Sequence, residues 1–164
     1  MINLPERRFV DANIFINWLK ATPEKAVEDE TAAISGYVLS RIEDGEDALT
    51  TVTVKDEVSI WLSRYRTEAL NQFLELLSGY TTLDMVTPTI EDQVKAGRLM
   101  GRYRLGYTDL VSVTTMNRHD IKEIYSSDTG FDTVPEIRRV LTQLREEEGY
   151  KEFSRLLKEL ITKQ

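Results

Sequence analysis

Asp11, Glu57, Asp109 and Asp128 are the residues whose type and placement in this chain could do chemistry. Asp11 closes the run Arg8-Phe9-Val10, and Glu57 falls in the first turns of the helix expected after Ala48-Leu49-Thr50-Thr51-Val52. Asp109 opens a helix after the break Leu105-Gly106-Tyr107, and Asp128 follows Glu123-Ile124-Tyr125-Ser126. Each therefore stands at the end of an expected strand or the start of an expected helix. Carboxylates gathered without neutralising bases repel each other strongly at close range. A cation relieves that repulsion, and an all-oxygen ligand set favours Mg²⁺ or Mn²⁺. One or two such ions can orient an in-line water, help an alkoxide leave and neutralise phosphate charge. The chemistry implied is metal-dependent phosphodiester hydrolysis. It needs no histidine base, and the single histidine, His119, sits near a helix end and reads as a cap or surface group.

Each acid also has a purely structural reading. Asp11 is placed to be a helix N-cap, Asp109 a first-turn acid facing the helix dipole, and Asp128 a turn residue in a Ser-Asp-Thr-Gly cluster. Glu57 is of a kind common in first turns. It is their joint placement that points to a metal site. Around them, Asn13 is expected to support Asp11 or to make a local turn bond, and Ser126 to bind phosphate, a metal-bound water or the turn backbone. Asp132 is expected as an outer-shell acid or as a cap for the next turn. Asp56 is assigned to a capping box with Thr53, because adjacent helical residues diverge by about 100° and cannot both face one site. Arg102, Tyr103 and Arg104 are candidates for holding a phosphate backbone and stacking, or the solvated end of a helix, with Arg138 and Arg139 as further cations. Trp18, Trp61 and Phe73 read as core or interface.

The elements that must position these side chains alternate. Strands are expected at residues 7–10, 48–52, 83–86 and 121–126, with a short fifth at 137–140. Between the first two lie a helix from about Asn13 to Lys20 and a second one capped by Thr22, begun by Pro23 and carrying Val27, Ile34, Val38 and Ile42, which Gly45 ends. Thr53 is expected to start the helix with Val58, Trp61 and Leu62, and Thr67 the one with Leu70, Phe73, Leu74 and Leu77. Thr89 and Asp92 mark a helix running to about Arg104, and Thr108 caps another that ends near Arg118. The segment from Leu141 to Ile161 is expected to be helical with a break at Gly149 and an apolar stripe of Tyr150, Phe153, Leu157, Leu160 and Ile161. Alternating strands and helices imply a parallel, helix-covered sheet, whose ligands sit beyond the C-terminal strand ends. All four acids fall on that edge.

The 164 residues, 41% hydrophobic, suit one domain with a real core. Cysteine is absent, which excludes disulfides, zinc–thiolate sites and a cysteine nucleophile. No apolar run is long enough to cross a bilayer, and Met1-Ile2-Asn3-Leu4-Pro5-Glu6-Arg7-Arg8 is too polar for a signal peptide, so no membrane partner and a cytoplasmic location are expected. The net charge of −7 counts against a nucleic-acid substrate. A metal-binding acidic pocket contributes several of those charges, and bound cations cancel them locally.

The residues carry a family resemblance. Phe9-Val10-Asp11-Ala12-Asn13-Ile14-Phe15 resembles the opening D-x-N motif of PIN domains, and Thr53-Val54-Lys55-Asp56-Glu57-Val58 their second-acid helix. Leu105-Gly106-Tyr107-Thr108-Asp109-Leu110-Val111 resembles the third-acid segment, and Tyr125-Ser126-Ser127-Asp128-Thr129-Gly130-Phe131-Asp132 the (T/S)-x-D-x-x-F ending. The order and spacing agree from about residue 8 to residue 140.

The resemblance implies a three-layer α/β/α sandwich with a central, mostly parallel sheet and a PIN-like nuclease domain over residues 1–140. Residues 141–164 would be a C-terminal helical extension of the same domain. It implies a Mg²⁺- or Mn²⁺-dependent ribonuclease in which Asp11, Asp109 and Asp128 hold metal and Glu57 holds metal or orients water. Many small prokaryotic PIN domains are toxins of the VapC type. An RNA substrate, a homodimer and an antitoxin partner are therefore expected. Apolar positions in the helices after Thr22 and Thr67 beyond what one sheet face needs also favour a homodimer. The alternatives are a nuclease for ribosomal or other RNA processing, or a catalytically silent RNA-binding or assembly module. A response-receiver domain is disfavoured, because adjacent acids after the first strand and a lysine after the last are missing.

Overall fold

Parallel strands need long crossover connections, usually helical, and the spacing of the strands in this chain supplies them. The computed structural model describes residues 6–163, so the first five residues of the Met1–Arg8 stretch lie outside the described residues. Its sheet has five strands in the order β3-β2-β1-β4-β5, all parallel: β1 (Arg8–Val10), β2 (Ala48–Thr51), β3 (Leu83–Val86), β4 (Glu123–Tyr125) and β5 (Arg138–Val140). The helices are α1 (Ala12–Leu19), α2 (Pro23–Glu28), α3 (Glu30–Glu43), α4 (Val52–Tyr65), α5 (Thr67–Gly79), α6 (Ile90–Leu99), α7 (Tyr107–Arg118) and α8 (Glu148–Thr162). Strand order runs outward from β1 to β3 and then jumps back to β4 beside β1. Right-handed crossovers send the helices before and after that jump to opposite faces, which gives the three layers. The jump also makes the gap beyond Val10 and Tyr125 the switch point at which a ligand crevice forms.

The central strands are buried on both faces, as a covered parallel sheet requires: Phe9, Val10, Ala48, Leu49, Ile124 and Tyr125 are all solvent-excluded. Helices close the core with Phe15, Ile34, Leu62, Phe73, Leu110 and Met116. The edge strand β3 is half-exposed, with Asp84 outward in an ion pair with Arg7.

Several boundaries differ from the sequence expectation. The single helix expected after Thr22 is two, because Asp29 leaves helical geometry and its carboxylate accepts the Thr31 and Ala32 amides, restarting the chain as α3. Helix α3 ends as expected at Gly45, whose φ of +107° lets the Gly45 and Glu46 amides bond back to Ile42 and Arg41. Thr51 rather than Thr53 caps α4, its hydroxyl accepting the Val54 amide, because strand and helix are joined with no loop. Asp56 instead pairs with Lys55. Thr67 is the first residue of α5, which has no side-chain cap. The capping box of Thr89 and Asp92 forms, yet α6 stops at Leu99, short of Arg104. Helix α7 is capped by Gly106, and Thr108 lies inside it. His119 is the C-cap of α7.

Beyond β5 the chain makes a 3-10 turn (Thr142–Glu146) and then α8. The break falls at Glu147, and Gly149 sits inside α8, where the Tyr37 hydroxyl approaches to within 2.4 Å of where a Cβ would stand. Tyr150, Phe153 and Leu157 of the stripe pack on α2, α3 and Trp18, with Phe153 6.1 Å from the Trp18 ring and Tyr150 5.7 Å from Tyr37. Leu160 remains 64% exposed. Glu147 is held by Arg41 and Tyr37, which anchors the start of α8 to α3.

Gly36 permits the Trp18 ring to lie against α3, since a Cβ there would stand 2.4 Å from Trp18 Cε3. Gly36→Ala is expected to destabilise the protein by about 1–3 kcal/mol through overpacking. In a domain of this size that is roughly 2–4 °C of Tm per kcal/mol, read by thermal unfolding. An unchanged Tm would mean that α1 and α3 do not pack this closely.

Candidate metal centre

Asp11 follows β1 directly, and its backbone amide continues the sheet ladder by donating to Tyr125 at 3.1 Å. It occupies the N-cap position of α1, but its carboxylate does little capping. Oδ1 accepts only the adjacent Ala12 amide at 2.8 Å, and Oδ2 turns across the switch point to β4. There it accepts from the Ser126 hydroxyl at 2.6 Å and the Asn13 amide group at 2.8 Å. The Ser126 hydroxyl in turn accepts from Asn13 Nδ2 and the Asp128 amide, each at 3.0 Å, and Asn13 Oδ1 accepts the Ser127 amide at 2.9 Å. Both amide hydrogens of Asn13 and every hydrogen-bonding position of the Ser126 hydroxyl are thereby used. A carboxylate has about four lone-pair directions, and the three bonds to Asp11 leave one free. Of the two readings of Ser126, the bond to the turn backbone is the one seen, and the same hydroxyl also holds Asp11.

The other acids arrive from three further elements. Asp109 is in the first turn of α7, with Oδ2 accepting the Gly106 amide at 3.3 Å and its second oxygen unbonded. Asp128 follows β4 and accepts the Gly130 amide at 2.7 Å. Glu57 stands exposed on the rim in the second turn of α4. Burial is the first cause that pushes the Asp11 carboxyl up to about 7, and Asp109 and Glu57 add to it, while the Ser126 and Ala12 donors oppose it. Asp109 is raised by loss of water and then by Asp128, and Glu57 by loss of water and then by Asp109. The four carboxylates are thus electrostatically coupled around one crevice.

Their lack of counter-ions is selective. Outside this site every acid that is buried or half-buried among the described residues has an arginine: Glu46 and Glu147 have Arg41, Asp92 has Arg118, Glu123 has Arg8 and Arg138, and Glu159 has Arg155. Asp11, Asp109 and Asp128 have none, nor has Glu57. Among the described residues no three such groups close on one point at direct coordination distance. An oxygen-only, uncompensated and open set of this kind fits a hard, strongly hydrated ion such as Mg²⁺, which takes one or two carboxylates and keeps several waters. Asp11, Asp109 and Asp128 are the residues that could hold it.

The remaining candidates are placed differently. Asp132 is bound by both arms of Arg139, whose third nitrogen donates to the Ser126 carbonyl at 3.3 Å. Asp132 is therefore neutralised, and Arg139 braces the turn rather than standing free. Arg138 pairs with Glu123. Arg102 and Arg104 are exposed beside the Asp128 turn, where the Arg104 carbonyl would lie 2.2 Å from a Cβ on Gly130. Tyr103 is half-buried, with the Arg102 guanidinium 5.6 Å from its ring centre, so it is already stacked within the chain. Phe73 is core, and Trp18 and Trp61 are packed against it. The chain carries a second Arg-Tyr-Arg run at 64–66, at the end of α4, and its Arg64 and Tyr65 line a cavity that includes Glu57.

Two outcomes follow. Asp109→Asn keeps an oxygen for Gly106 and removes a charge from the crevice, so metal-free Tm at pH 7.5 is expected to rise, by roughly 2–4 °C per kcal/mol of repulsion removed. A fall would contradict the coupling. Because the folded state raises the Asp11 carboxyl from 3.8 to about 7, the stability that protonation confers is present at low pH and is lost as pH rises through 7. Mg²⁺ binds the ionised form, so it is expected to raise Tm more at pH 7.5 than at pH 5. An equal shift at both would contradict that assignment.

A family model for the PIN domain matches residues 8–137. A comparison with curated protein sequences finds no match. Among solved structures, a toxin–antitoxin complex from Klebsiella pneumoniae has a chain at TM-score 0.58 and 15% identity, over 80% of this chain and 95% of that one. Mycobacterium tuberculosis VapC20, described as a sarcin–ricin loop cleaving toxin, aligns at TM-score 0.60 and 17% identity, over 76% and 92%. VapBC2 from Rickettsia felis, bound to a DNA fragment from its promoter, aligns at TM-score 0.57 and 12% identity, over 81% and 96%. Each neighbour is matched over nearly its whole length, and these likenesses bear on the fold. The family match covers most of the chain and the fold agrees with it: the chain belongs to the PIN domain family.

Proposed function

We propose that this protein is a Mg²⁺- or Mn²⁺-dependent endoribonuclease that hydrolyses RNA phosphodiester bonds, acting as the toxin of a toxin–antitoxin pair. The observation that carries the reading is the selective one. Three buried or half-buried aspartates at the switch point lack the arginine that every comparable acid elsewhere has. A bound ion supplies charge against the phosphate and acidifies a water. The protein's own part is positional. Ser126 and Asn13 lock the Asp11 carboxylate, Gly106 steers Asp109, and Arg139 braces the turn that carries Ser126 and Asp128. Glu57, on the rim and without a partner, is the group available to orient the attacking water.

The toxin reading rests on family membership and on structural neighbours described as toxins or toxin–antitoxin complexes. By the same reasoning an antitoxin, a second copy of the chain and a cytoplasmic setting complete the proposal. The extension after residue 140 is taken as part of the same domain, a reading that the packing of α8 on α2 and α3 supports. No helix among the described residues is long and apolar enough to cross a membrane.

Purified protein is expected to cut single-stranded RNA with Mg²⁺ or Mn²⁺ and to lose that activity in EDTA. Asp109→Asn and Asp128→Asn should each reduce cleavage by more than about 100-fold, since even outer-shell losses around metals cost 10–100-fold. Full cleavage by either variant, or cleavage in EDTA, would overturn the assignment.

A further inference from the structure

The two Arg-Tyr-Arg runs have opposite fates. Tyr103 is half-buried beneath Arg102, whereas Tyr65, at the end of α4, is 65% exposed, and Arg64 makes no ion pair or hydrogen bond among the described residues. Tyr65 leans on Trp61, one turn earlier, with ring centres 5.2 Å apart and planes tilted by 42°. Leaving so large an apolar ring in water forgoes burial energy, and the surroundings indicate what would cover it.

The aromatic pair separates two cavities. The first, about 540 Å³, has Ile16, Ile60, Thr53 and Thr108 on its walls and includes Glu57, so it opens onto the candidate metal centre. The second, about 350 Å³, is lined by Lys20, Lys25 and Arg66 around the same two rings. Both lie in the ~300–1,000 Å³ range of small-ligand pockets. Lys20 and Lys25 have no ion-pair partner among the described residues, while Arg66 is held by Glu68 and the Lys20 carbonyl. Of the acids on these walls, Asp56 pairs with Lys55, Asp29 caps α3, and Glu57 belongs to the candidate metal centre. In a chain of net charge −7, three unengaged cations thus surround an exposed aromatic ridge beside the acidic crevice.

The geometry points to a stacking subsite for one base of single-stranded RNA on the Tyr65 ring. Trp61 backs the ring, and Arg64, Lys20 and Lys25 take the phosphates leading to and from the cleaved bond. This rests on the ribonuclease reading of the acidic crevice. Bases stack on aromatic faces with little regard to sequence, and cations in the same groove track the backbone. A polyanion with flat bases matches both features, whereas an apolar protein segment filling the groove would leave the three cations unpaired. The subsite holds substrate in the crevice and takes no part in the chemistry.

The test uses the full chain and a single-stranded oligoribonucleotide of about eight nucleotides with one 2-aminopurine, whose fluorescence reports stacking. Binding is titrated in Mg²⁺ with Asp109→Asn as background, so that the probe persists, and cleavage is followed without that substitution. Tyr65→Ala is expected to weaken binding about tenfold or more and to remove the fluorescence change, the scale of one lost stack. Tyr65→Phe should retain both. In cleavage, Tyr65→Ala should raise KM and leave kcat near its starting value. Arg64→Ala should lower the slope of log affinity against log salt by about one.

If the protein cleaves RNA and Tyr65→Ala binds as tightly as its parent, the subsite is wrong and the ribonuclease reading stands. If the probe stacks in a Tyr65-dependent way but no RNA is cut, the subsite stands and the activity fails. No binding at all overturns both. Loss of a co-purifying protein partner on Tyr65→Ala, with RNA binding intact, assigns the groove to protein docking and overturns the proposal.

Discussion

Burial of one carboxylate at the switch point of a parallel sheet is the constraint on which the rest of this structure depends. An ionised group out of water costs several kcal/mol unless it is bonded or paired. Asp11 is bonded and not paired. Ser126, Asn13 and the Ala12 amide stabilise its charge enough to keep it within reach of ionisation, and burial beside Asp109 and Glu57 holds its carboxyl near neutrality. The parallel β1–β4 pairing makes this possible, since it brings Ser126 from the far end of the chain against Asp11. Arg139 and the close approach of the Arg104 carbonyl to Gly130 then fix the turn from outside.

The arginines show how charge is distributed around that constraint. Arg8 lies among Glu123, Glu46 and the Tyr125 hydroxyl, and Arg41 joins Glu46 to Glu147, so the ion pairs near β1 and β4 also tie the C-terminal segment to the sheet. The same fold therefore neutralises its acids in one region and leaves them uncompensated in another a few residues away along the same strands. Removing one partner of a buried pair is strongly destabilising. The paired acids accordingly serve stability, whereas the unpaired ones lower it while they stand without a counter-ion.

Much of this was legible in the sequence, because parallel-sheet strands are short apolar runs and all four acids follow such runs or open helices. What the sequence hid were choices between near-equivalent local signals. Thr51 and Thr53 can each cap a helix, and the absence of any loop after β2 decides for Thr51. Periodicity continues across Asp29, but a side chain that satisfies two amides there breaks the helix in two. Thr108 resembles a cap, yet the backbone turns at Gly106, which frees Asp109 to face the crevice. Asp132 could not be told from a metal acid without seeing Arg139 close on it. Composition also ranks Tyr103 and Tyr65 alike, and only packing decides that one is covered and the other open.

The most direct test of the central claim is to locate a cation. Crystals grown with Mn²⁺ should show an anomalous scattering peak bonded to at least one carboxylate oxygen of Asp11, Asp109 or Asp128, with waters completing the shell. A peak elsewhere with this crevice empty, or a lysine or arginine closing on Asp11 in its place, would contradict the account.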